Sequence, residues 1–254
     1  MNNELDLAKL IRKLSIQITA NAGTSHIGSC LSVAEILAVC LINCEKNGNV
    51  LILSKGHAAA ALYSGLFGID KISFDDLMSY CTDGSNLIGH VNHHVSGVRF
   101  SSGSLGHGLP VGVGMALSDR SKKVFVIMSD GELNEGTTWE SLAIAKHQDL
   151  DNLVVIVDVN AIQSFGETKQ VLDMEPLVDK FQAFGSFVSE LNGHSTNDLI
   201  KSISETHHAS PRVILARTVK GKGIREMENK LEWHYKSPLK ENLNQYFLEL
   251  EKNA

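Results

Sequence analysis

The stretch IMSDGELNEGTTWES, Ile127 to Ser141, decides how the rest of the chain reads. Its first residues close an apolar run, VFVIM (Val124 to Met128), that is short, continuous and bounded by a turn, the pattern of a buried strand. Its last residues open a helix expected over about 137–148. Between them lie Asp130, Glu132 and Glu135, beside Gly131 and Gly136. A strand that passes through a turn into a helix is one βα unit of a parallel sheet. Gly131 lets that turn be tight and brings the backbone close to any ligand.

The same alternation continues on either side. Upstream, VLIL (Val50 to Leu53) reads as a buried strand that runs into SKGH and the small-residue helix AAAALYSGL. Downstream, LVVIV (153–157) is the next strand, followed by the loop DVNAIQSFGET. Then come a helix near 176–183, a strand near 186–190, a helix near 196–207 and the strand RVILA. Residues 3–20 carry Leu7, Leu10, Ile11 and Leu14 on one helical stripe. Ser32 with Glu35 reads as a capping box before EILAVCLI. GLPVGVGMALS is a helix of small residues, suited to close packing against a sheet or another chain. Continuous apolar strands alternating with helices predict an α/β fold, a parallel β-sheet with helices on both faces. No repeat or linker divides the chain, so one domain over 1–254 is expected, with an irregular, charged tail from about Thr218.

Ligands of such sheets bind beyond the carboxyl ends of the strands. The loops that matter are therefore SKGH, SDGELNEG, DVNAIQSFG and ARTVKGKG. Asp130 and Asn160 each stand just past a buried strand, and could face one another across a crevice. A carboxylate, an amide oxygen and a backbone carbonyl suit a hard divalent cation such as Mg²⁺, whose remaining ligands are commonly phosphate oxygens. The other reading of the acids is that Asp130 and Glu132 cap the helix beginning near Thr137 and favour the positive end of its dipole.

Composition narrows the class. Charged residues make up 20% of the chain and hydrophobic ones 43%, an ordinary globular balance. The net charge of −6 gives no reason to expect nucleic acid or an anionic membrane as a partner. No apolar run reaches the roughly 18 residues of a membrane span, and the N-terminus lacks a secretory h-region. Cys30, Cys40, Cys44 and Cys81 form no C-x-x-C pair and read as reduced cysteines of a cytoplasmic protein. No cysteine or acid is spaced to complete a zinc site on HVNHH (His90, His93, His94). No G-x-G-x-x-G follows the first strand, which argues against a nicotinamide cofactor.

SDGELNEGTTWE together with DVNAIQ resembles the thiamine diphosphate motif. LSKGHAAAALY, GVRFSSGSLGHGL, and TVKGKG with a following WHYKSP resemble segments of the N-terminal part of transketolases, in the family's order. The resemblance covers roughly 5–240. It implies thiamine diphosphate and Mg²⁺ as cofactors, with Ca²⁺ or Mn²⁺ able to substitute. The metal ligands it implies are Asp130, Asn160 and the backbone carbonyl of Ile162. The cofactor-binding set it implies is His57, Ser104, Leu105, Gly106, Gly131, Glu132, Asn160 and His234. Its catalytic set is His26, His57, His90 and His234, a ring of histidines about the reacting atoms, with Glu135 near the subunit contact. Imidazoles suit a sugar substrate, whose hydroxyls and carbonyl must gain and lose protons near neutral pH.

Departures from the family pattern stand at Ser129, at TSHIGS, at LGHG with His107, and at VNHH after His90. A full transketolase also continues into a pyrimidine-binding half, which supplies a glutamate to the cofactor's aminopyrimidine. The resemblance therefore implies the N-terminal subunit of a split transketolase, working with a C-terminal subunit in an α₂β₂ assembly. It would move a two-carbon ketol unit from a ketose phosphate to an aldose phosphate. The alternative is a specialised or 2-oxoacid-using enzyme subunit of the same cofactor family, acting in modified-sugar or secondary metabolism.

Overall fold

A computed structural model describes residues 3–205 and 208–252. In chain order the elements are α1 (Glu4–Ala22), α2 (Ile27–Ser32), α3 (Ala34–Asn47), β1 (Val50–Leu53), α4 (Ala59–Gly68), α5 (Phe74–Met78) and α6 (Gly108–Ser118). They continue with β2 (Val124–Ser129), α7 (Gly136–His147), β3 (Leu153–Val159), a small hairpin of β4 (Ile162–Gln163) and β5 (Gly166–Glu167), and α8 (Thr168–Leu172). The chain ends with α9 (Leu177–Ala183), β6 (Phe187–Asn192), α10 (Thr196–Ser204), β7 (Arg212–Arg217) and α11 (Leu243–Lys252).

The main sheet has the order β1-β2-β3-β7-β6, and every pair in it is parallel. Successive strand residues point to opposite faces, so each strand serves two cores. Phe125, Ile127, Val154, Ile156 and Ile214 pack with α1, α3 and α4 on one face. Val124, Val126, Val155, Val157 and Val213 pack with α6, α7 and α9 on the other. This is the expected α/β architecture, and it explains why the strands are apolar without a break. Each such Val or Ile, taken out of water, contributes about 1.5–3 kcal/mol.

Three local expectations change. Ser32 does not cap α3: it ends α2, and its hydroxyl donates to Asp158 Oδ2 at 2.6 Å. Glu35 instead takes a bidentate pair from Arg12, both contacts at 2.5 Å. The tail is irregular only as far as Asn242, after which α11 packs on α1 and buries Tyr246. That helix is hard to read in the sequence because only one of its side chains is buried. Nor do Asp130 and Glu132 cap α7, whose N-cap is Glu135 with no side-chain bond. The last two residues of the helix expected near 196–207 lie outside the described residues.

Candidate active site

Four adjacent strand ends open on one cleft of about 190 Å³. The loop after β1 supplies His57, and Asp130 and Gly131 follow β2. Asn160 and Ile162 follow β3, and Lys220 follows β7. His26, His90, Leu105 and His234 also line it. The four strand-end loops are remote in sequence, and parallel strand pairing brings them together.

The four histidines of the expected catalytic set meet. His26 stands centrally, its ring centroid 5.4 Å from His57, 5.9 Å from His90 and 4.9 Å from His234. Its backbone is left-handed, with φ 72°, an uncommon state for a residue with a Cβ. The His26 N–H donates to the His234 carbonyl at 3.1 Å, which ties the two loops. Burial, with His90 and Lys220 nearby, lowers His26 to about 4. Burial and the Lys220 ammonium lower His234 to about 3. Burial and Lys55 push His57 well down as well. These three rings are therefore neutral near pH 7, able to donate from one nitrogen and accept at the other.

Opposite them lie the oxygen donors. Asp130 is 6% exposed and its Oδ2 accepts the Ala161 N–H at 2.6 Å. Burial and the neighbouring Asp158 raise it to about 6, so its ionised form lacks full compensation within the chain. Asn160 Oδ1 accepts the Ile162 N–H at 3.2 Å. The Ile162 carbonyl accepts from Lys220 Nζ at 2.9 Å, which orients its lone pairs toward an ammonium inside the cleft. Carboxylate, amide oxygen and carbonyl at one place are a hard donor set that fits a divalent cation, and Lys220 stands ready for an anion beside it. Among the described residues, no group of three or more His, Cys, Asp and Glu is arranged to hold a metal. His93 and His94 stack on each other at 4.1 Å instead, with His93 Nδ1 2.7 Å from Ser101 Oγ.

Ser104, Leu105 and Gly106 form the loop that enters α6. Gly106 has φ 78°, and a Cβ there would meet Glu135 Cβ and Thr137 Oγ1 at 2.6 Å. Glu132 is fully buried and does not line the cleft. Its carboxylate accepts from Gly106 N at 2.9 Å, Ser129 N at 2.8 Å and the Ser54 hydroxyl. With the Ser129 hydroxyl as a fourth donor at 3.3 Å, it braces the Ser104–Gly106 loop against β1 and β2 and is turned away from the cleft. Glu135 lies on the exposed lip beside Gly106, outside the histidine ring.

Sequence reasoning passed over Lys220, Lys55 and Asp158. Lys220 is 1% exposed, lies 3.0 Å from His234 Nδ1, and is lowered to about 8 by burial and Lys55. Lys55 and Asp158, both 0% exposed, form an ion pair beneath the cleft. The signal for Asp158 is a charge inside the apolar run LVVIVDV, which only a partner could make tolerable. The signal for Lys220 is its place in a glycine-flanked loop at a strand end.

This fold is that of transketolases. The crystal structure of transketolase from Campylobacter jejuni matches with a TM-score of 0.87 and 28% sequence identity, over 98% of this chain and 43% of that one. This chain thus spans less than half of that enzyme. The family model for the transketolase thiamine diphosphate-binding domain matches residues 3–246, and the chain belongs to that family. Among its relatives is an apulose-4-phosphate transketolase subunit from Actinobacillus succinogenes, 38% identical over 91% of this chain and 90% of that protein. Another is the 6-deoxy-6-sulfo-D-fructose transketolase subunit of a Clostridium species, 33% identical over 97% and 96%. Among the described residues, no helix is long and apolar enough to cross a membrane.

Proposed function

We propose that this chain is the diphosphate-binding subunit of a two-subunit transketolase. With a C-terminal partner it would transfer a two-carbon ketol unit between sugar phosphates. The observation that carries the reading is the ring of His26, His57, His90 and His234 facing Asp130, Asn160 and Ile162 across one cleft. Asp130, Asn160 and the Ile162 carbonyl would hold Mg²⁺, and Lys220, His57 and His234 would meet the diphosphate. Gly131 gives that diphosphate close backbone approach, and Leu105 with its flanking residues would lie along the pyrimidine. Thiamine diphosphate, when bound, supplies the nucleophilic carbon for carbonyl addition. The chain's own part is to orient substrate hydroxyls and to exchange protons with them through neutral imidazoles. His26 would be the hub of such exchange, since the centroids of three other rings lie within 6 Å of it. The relatives with 90% and 96% of their length covered are named as subunits, which supports a separate partner chain, most simply in an α₂β₂ assembly that the names themselves do not specify.

The same two relatives are named for modified sugars, and this favours a second reading of the substrate. His93 and His94 follow His90 in the chain, and His107 follows the Ser104–Gly106 loop, where the sequence departs from transketolase custom. The test is ketol transfer to ribose 5-phosphate, with thiamine diphosphate, Mg²⁺ and the C-terminal subunit from the same source. Donors would be xylulose 5-phosphate and apulose 4-phosphate. Turnover only in the mixture supports the split enzyme, and the better donor decides the substrate. An assembled, cofactor-loaded mixture silent with every sugar donor and active with pyruvate would overturn the ketol-transfer reading.

A further inference from the structure

We propose that Asp158 is a positioning residue that decides which atom of the Asn160 amide faces the cation. The inference rests on the cation reading above. Asp158 is the penultimate residue of β3 and is 0% exposed. A lone carboxylate there would be prohibitive, and it is not alone. Oδ2 accepts from Lys55 Nζ and from Ser32 Oγ at 2.6 Å, and Oδ1 accepts from Thr218 Oγ1. Lys55 also reaches the Ser29 carbonyl, at 3.4 Å. One carboxylate thus ties the end of α2, the loop after β1, the end of β3 and the loop after β7.

The remaining neighbour of Asp158 is Asn160, whose Nδ2 lies 3.5 Å from Oδ2. A primary amide can turn over, exchanging its oxygen and its NH₂ at nearly the same volume. The two orientations differ fully in what they offer a cation: one presents a lone pair, the other two N–H bonds. Here both ends of the amide are specified. The carboxylate can only accept, so it favours NH₂ on its side and repels Oδ1 even at 3.5 Å. The Ile162 N–H can only donate, so it favours Oδ1, which it meets at 3.2 Å. The oxygen is thereby held at the Ile162 N–H, in the same loop whose Ala161 N–H is bound by Asp130. Lys55 cancels the charge of Asp158, so the carboxylate sets the orientation without itself competing for the cation.

The experiment titrates Mn²⁺ into the full chain with thiamine diphosphate. Protein-bound Mn²⁺ is counted by electron paramagnetic resonance after subtraction of a protein-free titration. Asp158→Asn removes the acceptor-only partner and should raise the Mn²⁺ Kd about 10–100-fold, the range for losing an outer partner of a metal ligand. Asp158→Asn combined with Asn160→Asp puts a carboxylate at position 160, which presents oxygen whichever way it turns, and should recover most of that loss. Asn160→Asp alone is the control: an orienting role for Asp158 leaves the double variant as tight as Asn160→Asp, whereas a structural or charge role costs the same factor in both backgrounds. Unchanged Mn²⁺ affinity in a folded Asp158→Asn overturns the inference, as does a folded double variant that stays weak. Should Asp158→Asn not fold, the double variant is judged against Asn160→Asp alone, and a folded double variant weaker than that single variant overturns the inference. Failure of the wild-type chain to bind Mn²⁺ both alone and assembled with its C-terminal subunit overturns the cation reading itself and the inference with it.

Discussion

Two glycines of α6, two positions apart, should respond to the same substitution with opposite signs. Gly112 is buried against β2, and a Cβ there would run into Val126 Cγ2, with Ile52 and Leu153 methyls 3.7 Å away. Val126 is a fully buried strand residue, β-branched and stiff at χ1, so it cannot swing aside. Gly112→Ala must lift the helix or distort the strand. Overpacking of this kind costs about 1–3 kcal/mol, partly offset by the roughly 1 kcal/mol that Ala gains over Gly in a helix. The net expectation is destabilisation of up to about 2 kcal/mol. Gly114 faces outward with nothing within 4 Å of its missing Cβ. Gly114→Ala therefore keeps only the helix term and should stabilise the isolated chain by about 0.5–1 kcal/mol. Urea unfolding at 25 °C, followed by circular dichroism, reads both as opposite shifts in midpoint at constant slope. Shifts of the same sign, or a Gly112→Ala chain as stable as wild type, would refute the packing argument.

Further expectations concern single interactions. In the Glu35 site, burial favours the neutral acid, but His194 and Arg12 together outweigh it and bring the carboxyl from 4.5 to about 2. A depressed folded value gives stability that is present above 4.5 and lost as pH falls toward 2. The contribution is about 3 kcal/mol at 1.36 kcal/mol per unit. Denaturant melts of Glu35→Gln should thus show a deficit at pH 7 that shrinks by pH 3, and a constant deficit would count against the ion pair. His194 Nε2 accepts the Val219 N–H at 2.9 Å, so Nδ1 carries the proton that meets Glu35. Lys220→Met should weaken thiamine diphosphate binding roughly 10–100-fold, the worth of one lost charge-assisted bond. Calorimetric titration of the assembled enzyme checks it, and an unaltered affinity would remove Lys220 from the diphosphate site. Glu132→Ala strands Gly106 N, Ser129 N and the Ser54 hydroxyl, and should cost about 2 kcal/mol or more. Faster proteolysis near Gly103–His107 would accompany that loss, and a wild-type melting temperature would contradict the brace.

The sheet was legible because parallel strands buried on both faces must be apolar at every position, and VFVIM, LVVIV and RVILA are. The histidines of the ring were legible through their motifs, and the structure brings those four together. What periodicity could not reach were groups whose meaning depends on a partner far along the chain. Glu132 reads as a cofactor-loop acid until Gly106 and Ser54 are seen to claim it. Ser32 reads as a helix cap until Asp158 takes its hydroxyl, 126 positions on. The hairpin of β4 and β5 has two residues per strand, too short for any alternation to register.

The insertion of β7 between β3 and β6 bears on how the chain is made. Sequence order would let β1, β2 and β3 pair as they emerge, but β6 has no neighbour until β7 arrives. Until synthesis passes Arg217, LVVIV is a naked sheet margin, flat and apolar, of the kind that recruits other chains. Lys220 follows β7 closely, so the same late event that seals this margin also delivers the cleft group of the β7 loop. A ribosome-bound fragment ending before β7 should depend on chaperones and ignore the cofactor, gaining protection and binding competence together.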